Sequence, residues 1–161
     1  MNTLKSNFNL KNPVHFLALG FGSGLIKPAP GTWGTLAAVP VYWVLATLPI
    51  SVFLLVILIG FAVGIYLCGK TASDVGVHDH GAIVWDEFIG FWITMIAIPF
   101  NWVNVLIGFI LFRIFDIIKP WPIKVLDQKV HGGFGIMIDD VIAGVFACII
   151  LHLLQSVLGF S

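Results

Sequence analysis

The stretch TLAAVPVYWVLATLPISVFLLVILIGFAVGIYLCG, residues 35–69, decides the fold. It lies within a run of 42 residues between Lys27 and Lys70 that carries no charge. Drawn as one helix, the run would be roughly 63 Å long, about twice the ~30 Å hydrocarbon core of a bilayer. It must therefore fold back. Pro49 marks the place, because proline lacks an N–H and clashes with the preceding turn. The run predicts a hairpin of two apolar helices, residues 35–48 and 51–69, with lipid as the solvent.

The rest of the chain repeats this pattern. Between Glu87 and Arg113 lie 25 uncharged residues, broken by Pro99-Phe100-Asn101, which predicts a second hairpin of residues 86–98 and 102–118. The last run, residues 141–160, is long enough to span alone, and its one titratable group is His152. Composition agrees. Of 161 residues, 59% are hydrophobic and 10% charged, against about 25% charged in a soluble domain, and the mean hydropathy is +1.04. The predicted class is an all-α, multi-pass membrane helical bundle of about five membrane segments, two of them short. Residues 1–12 read as a flexible tail and residues 13–161 as one domain. The polar start of the chain lacks the long apolar core of a cleaved signal peptide. Cys68 and Cys148 sit in apolar runs without a CxxC partner and read as small buried hydrophobes. A net charge of zero gives no footprint for nucleic acid.

The charges are segregated. All eight Lys and Arg fall in the N-terminal region, around Lys70, or between Arg113 and Lys129, and the eight carboxylates share that side. The hairpin tips and the C-terminal end carry none. By the positive-inside rule the charged groups form a polar layer at the cytoplasmic interface and the C-terminus lies outside. Trp33, Trp85, Trp92 and Trp121 flank that layer, as an aromatic belt would.

Four polar clusters carry the candidate chemistry. The first, GFGSGLIKPAPGTWGT (residues 20–35), is rich in glycine and proline and leads into a helix. It reads either as a turn with Thr32 or Thr35 as cap, or as an anion site in which Lys27 and Thr32 meet a phosphate at the helix N-terminus. The second, HDHGAIVWDEFIG (residues 78–90), places His78, Asp79, His80, Asp86 and Glu87 beside an apolar helix. The helix dipole accounts for one acid there, but two acids next to lipid are costly and point to function. In the third, RIFDIIKPWP (residues 113–122), Arg113, Asp116 and Lys119 recur every three residues and so share a helix face. They read as a salt bridge, or as a phosphate clamp of Arg113 and Lys119 beside a metal-binding Asp116. In the fourth, HGGFGIMIDDVIAG (residues 131–144), Asp139 and Asp140 open the last apolar helix. His78 precedes Asp86 by eight residues, and His131 precedes Asp139 by eight. The second and fourth clusters thus read either as two copies of one element, whose acidic pairs then face each other across a metal site, or as a chance likeness between short apolar stretches. Asp86, Glu87, Asp116, Asp139 and Asp140 together offer the hard oxygen ligands that Mg²⁺ prefers, and no thiolate joins them.

These four blocks, together with FRIFDIIKPWPIK around the third, resemble the phosphatidylglycerophosphatase A family, and the likeness runs from about Pro13 onward. The resemblance implies Mg²⁺-dependent hydrolysis of phosphatidylglycerophosphate to phosphatidylglycerol and phosphate at a bacterial inner membrane. The implied partners are the phospholipid substrate and the bilayer. The mechanism then expected places Mg²⁺ on the five carboxylates and the phosphate on Arg113, Lys119, Lys27 and Thr32. His78 or His80 protonates the leaving glycerol oxygen. An aspartyl-phosphate through Asp79 or Asp86 is the alternative route. The competing class is a membrane ion or proton carrier that uses the same acids.

Overall fold

The architecture comes from a computed structural model, which describes residues 8–159. Of the expected tail, residues 1–7 lie outside that range, as does Phe160 of the last apolar run. Among the described residues there are seven α-helices and no strand: α1 Pro13–Ala18, α2 Pro30–Leu45, α3 Ile50–Val75, α4 Trp85–Thr94, α5 Trp102–Ile118, α6 Ile123–Lys129 and α7 Gly132–Leu158. A 3₁₀ turn, Ser23–Leu25, lies between α1 and α2.

Two helices, α3 and α7, are long and apolar enough to cross a membrane. With 26 and 27 residues they reach about 39–40 Å, more than the ~30 Å hydrocarbon core of a bilayer. α2 and α5, with 16 and 17 residues, are shorter. The expected segment 86–98 departs most from its prediction. It is a helix of ten residues, α4, followed by turns, and at about 15 Å it covers only half of a bilayer core. Every residue from Asp86 to Thr94 is buried. A helix that is apolar all round belongs inside a bundle, and α4 is the central element here, packed against α2, α3, α5 and α7.

α7 is the other organiser, since α3, α4, α5 and α6 all touch it. Its start differs from the expectation. The helix begins at Gly132, so Asp139 and Asp140 lie two turns inside it and do not open it. The helix runs through Gly133 and Gly135, whose lack of side chains allows close packing. Cβ atoms there would strike the carbonyls of Ile65 and Val130. This also limits the proposed repeat. The residues before Asp139 are helical, whereas residues 78–84 before Asp86 are turns and coil.

The core is aromatic and aliphatic. Tyr42, Phe88, Phe91, Phe112, Met137 and Leu151 are almost wholly enclosed. Two of the four tryptophans expected in a belt belong to this interior. Trp92 is buried and donates its indole N–H to Ala38 O, and half-buried Trp85 donates to Gly60 O. Each satisfies a polar group between helices, a role that outweighs an interfacial one. Trp33 and Trp121 are exposed as expected. Both cysteines are free thiols.

The molecule is polarised along its length. The tips after α2 and α4 meet at one end, where Trp43 stacks on Phe100 with centroids 6.4 Å apart. His152, late in α7, comes to that end too, its Nε2 2.9 Å from Ile96 O. The start of α2, the start of α4, the end of α5 and the first turns of α7 converge away from these tips, around the polar cavity described next.

Candidate active site

The cavity holds about 280 Å³. The first turn of α2 contributes Ala29, Pro30 and Gly31, and the loop before α4 contributes Asp79, Gly81 and Ile83. Asp86 and Glu87 come from α4, Arg113, Asp116 and Lys119 from the end of α5, and Asp139 and Asp140 from α7. Acidic groups more than fifty residues apart in sequence therefore meet at one place. Three of the lining residues, Ala29, Asp79 and Lys119, have left-handed backbone, with φ of 59°, 50° and 48°. Non-glycine residues adopt this conformation rarely and at a cost, and such strain gathers at functional sites.

Arg113 organises one side. Its Nη1 donates to both carboxylate oxygens of Glu87, at 2.7 Å each, and to Asp116 Oδ2. The i, i+3 spacing read from sequence supplies the Asp116 contact. Glu87 is held further by Thr35, whose Oγ1 is fully buried and lies 2.9 Å from both Glu87 Oε2 and Gly31 O. Gly31 is one helical turn before Thr35 on the same face. A Cβ at Gly31 would fall 2.2 Å from Glu87 Oε1 and 2.9 Å from Arg113 Nη1. The missing side chain is what lets the ion pair reach the start of α2.

Lys119 organises the other side. It caps α5, and its Nζ donates to Asp139 Oδ2 and, at 3.1 Å, to Asp127 Oδ1. Burial alone would favour the neutral amine, but the two carboxylates overcome this and hold the ammonium well above the ordinary lysine range. Asp79 belongs to an exposed loop, yet its carboxyl lines the cavity. Loss of water raises its pKa, partly offset by Lys119.

The donor set fits a hard cation. One carboxylate oxygen each from Glu87, Asp116 and Asp140 lie within 4.8 Å of one another. Asp140 Oδ2 and Asp139 Oδ1 are buried and make no hydrogen bond within the chain. Buried polar atoms ordinarily have partners, so these two oxygens have acceptor capacity to offer a cation. Asp86 lines the same cavity but lies outside the trio; its Oδ1 accepts from the Glu87 N–H. All these potential donor atoms are carboxylate oxygens, the type a hard cation such as Mg²⁺ prefers.

Four residues predicted for the site do not line the cavity. Lys27 is exposed. Thr32 faces an apolar groove with Phe109 and Ile114. His78 Nε2 accepts from the Gly132 N–H, and its ring lies 5.5 Å from that of His131. His80 Nδ1 accepts from the Ala82 N–H. Both histidines flank Asp79. Sequence reasoning missed Thr35 and Asp127 as site residues. Thr35 was weighed only as a helix cap, and its i, i+4 relation to Gly31 was the available signal. Nothing in the spacing joins Asp127 to Lys119, because their contact depends on the turn between α5 and α6.

Comparison with known proteins gives the arrangement its setting. The family model described as phosphatidylglycerophosphatase A matches residues 16–155. The phosphatidylglycerophosphatase A of Escherichia coli (strain K12) is 55% identical over 149 residues, covering 92% of this chain and 87% of that protein. The protein of the same name from Haemophilus influenzae (strain ATCC 51907 / DSM 11121 / KW20 / Rd) is 53% identical over 156 residues, covering 96% and 95%. No solved structure matches. With a family match across most of its length and relatives at this identity, the chain belongs to the phosphatidylglycerophosphatase A family.

Proposed function

We propose that the protein hydrolyses the terminal phosphomonoester of phosphatidylglycerophosphate, releasing phosphatidylglycerol and inorganic phosphate, with Mg²⁺ in the acidic cavity at the cytoplasmic face of a bacterial inner membrane. One observation carries the chemical reading. Six carboxylates but only two cationic side chains line a single cavity. That many acids cannot share a secluded site as anions without compensation. A divalent cation supplies it.

Glu87, Asp116 and Asp140 are the first candidates to hold the ion, with Asp139 and Asp86 beside them. Bound there, Mg²⁺ supplies Lewis-acid polarisation of a phosphoryl oxygen and charge neutralisation. The chain's own groups do the rest. Arg113 uses Nη1 for Glu87 and Asp116, which aims its remaining N–H groups and fixes the guanidinium as a phosphate donor. Lys119 adds a second fixed positive charge toward the developing negative charge of a loose transition state. A water attacks phosphorus and gives its proton to a cavity carboxylate, for which Asp79 is suited by its raised pKa. The phosphorus–glycerol oxygen bond breaks, and the leaving alkoxide takes a proton. His80 through Nε2 and His78 through Nδ1 are the candidate donors, since the other ring nitrogen of each accepts a backbone N–H.

Release of phosphate from phosphatidylglycerophosphate by purified protein tests the proposal. Activity is expected with Mg²⁺, absent in EDTA, and absent in Asp140→Asn even though that variant inserts normally. Full activity in chelator would remove the metal from the scheme, and no phosphate release under any condition would remove the phosphatase reading itself.

A further inference from the structure

A second depression abuts the polar cavity. It holds about 390 Å³ and is almost wholly apolar, apart from Thr32 of α2 and Arg113 of α5. Ile110, Ile114, Ile117 and Ile118 form its wall and are 48%, 44%, 67% and 68% exposed. Their spacing of four, three and one puts them in a single stripe along the outer face of α5. From Ile110 to Ile118 the stripe is about 12 Å long. Arg113 lines both this groove and the acidic cavity. A comparable apolar groove on α3, lined by Leu54, Leu58 and Phe61, shares no residue with the acidic cavity.

We infer that the α5 groove seats the glycerol-proximal part of one acyl chain of the lipid substrate, so that Arg113 meets the head-group phosphate while the chain lies along the isoleucine stripe. The inference rests on the phosphatase reading and adds to it a binding site for the apolar end of the substrate. The energetics are particular to a membrane. An acyl chain is in hydrocarbon whether or not it is bound, so the groove gains nothing by removing it from water. What it provides is registration. A lipid whose first methylenes are held beside Arg113 presents its phosphate at one depth and one angle, and misplacement by about 1 Å costs on the order of a hundredfold in rate. Thr32, whose side chain faces this groove, sits where the polar head group and the chain divide. Its place at the lip explains why a polar residue of the glycine-rich loop turns away from the acids.

The experiment uses the full-length protein in mixed micelles with Ile114→Trp, which fills the groove, and Leu58→Trp, which fills the groove on α3. Each is assayed on dioleoyl phosphatidylglycerophosphate and on its deacylated, water-soluble counterpart. Ile114→Trp is expected to lower kcat/KM about tenfold on the diacyl substrate and to leave the deacylated one unchanged, while Leu58→Trp changes neither. Equal losses on both substrates would mean that the substitution acts by moving Arg113, and no loss on either would mean a bulk lipid contact only. Each result overturns the inference. A second reading does not need turnover. A phosphatidylglycerophosphate with a diazirine near the start of its acyl chain should label α5 around Ile114 in preference to α3, and the label should be lost in Ile114→Trp. Even labelling of the two faces overturns the site. Were the unsubstituted protein to release no phosphate from either compound, the phosphatase reading would fail by itself, and the labelling would still report on the groove.

Discussion

A methyl group on Gly144 would lie 2.4 Å from the carbonyl oxygen of Gly90, so α7 and α4 are in backbone contact where they cross. Asp140 is one turn before Gly144, and Glu87 is three residues before Gly90. The crossing therefore sets the distance between two of the acids that form the oxygen cluster. Gly144→Val should destabilise the protein by about 1–3 kcal/mol, the usual cost of overpacking, and should lower phosphatase activity as the two helices separate. A melting curve in detergent reads the first effect and phosphate release the second. Gly81→Ala is the stability control, since a Cβ there meets nothing within 4 Å; its melting temperature should stay near that of the unsubstituted chain.

Gly31 predicts a different outcome. A Cβ at this position would collide with Glu87 Oε1 and with both terminal nitrogens of Arg113, all of them ends of flexible side chains. The backbone need not move; the ion pair must. Alanine is also the better helix former, by about 1 kcal/mol. Gly31→Ala should therefore fold as well as the parent or better and yet lose at least tenfold in kcat/KM. Equal activity in the two proteins would show that the position of the Glu87–Arg113 pair does not matter for turnover.

Thr35 tests whether Glu87 needs its third contact. The hydroxyl has one proton and two acceptors at 2.9 Å, Gly31 O and Glu87 Oε2. Thr35→Val keeps the shape and removes the donor. A hydrogen bond to a charged group contributes about 1.5–3 kcal/mol, so the variant should melt earlier. It should also need more Mg²⁺ for half-maximal activity, because Glu87 is then positioned by Arg113 alone. Thr35→Ser keeps the hydroxyl and should restore the Mg²⁺ requirement. If valine and serine behaved alike, Thr35 would be a packing residue only.

Much of this was legible in the sequence, for identifiable reasons. Long uncharged runs and the breaks at Pro49 and Pro99 gave the helices and hairpins, because lipid tolerates no unpaired backbone and helix is the simplest solution. Asp86 and Glu87 stood out because acids beside apolar helices are expensive, Asp139 and Asp140 as the matching pair, and Asp116 through its spacing from Arg113 and Lys119. The length of α4 was not legible. Residues 95–98 are as apolar as those before them, and only their packing near the α2 tip shows that they turn out of the helix. The placement of His78 and His80 was not legible either. Nothing in the sequence shows that each of them accepts a backbone N–H on one ring nitrogen outside the cavity lining.

The polarity of the bundle makes a prediction about the membrane. Trp43 and Phe100 bring the two hairpin tips together, and the contact between His152 and Ile96 adds the end of α7. None of these segments carries a Lys, Arg, Asp or Glu. The cationic groups Arg113 and Lys119 lie with the acids at the cavity, and Lys124 and Lys129 follow in α6. Lys and Arg are retained on the cytoplasmic side during insertion, so the cavity should face the cytoplasm, where a soluble Mg²⁺ pool and the polar head group meet. Reporter fusions after Pro49 and after Asn101 should read periplasmic, and one after Asp127 should read cytoplasmic. With a reversed pattern the acids would face the periplasm, and the phosphate would have to be removed on the opposite leaflet. With Pro49 on one side and both Asn101 and Asp127 on the other, α4 and α5 would be helices embedded in the bundle that do not cross, leaving α3 and α7 as the spans.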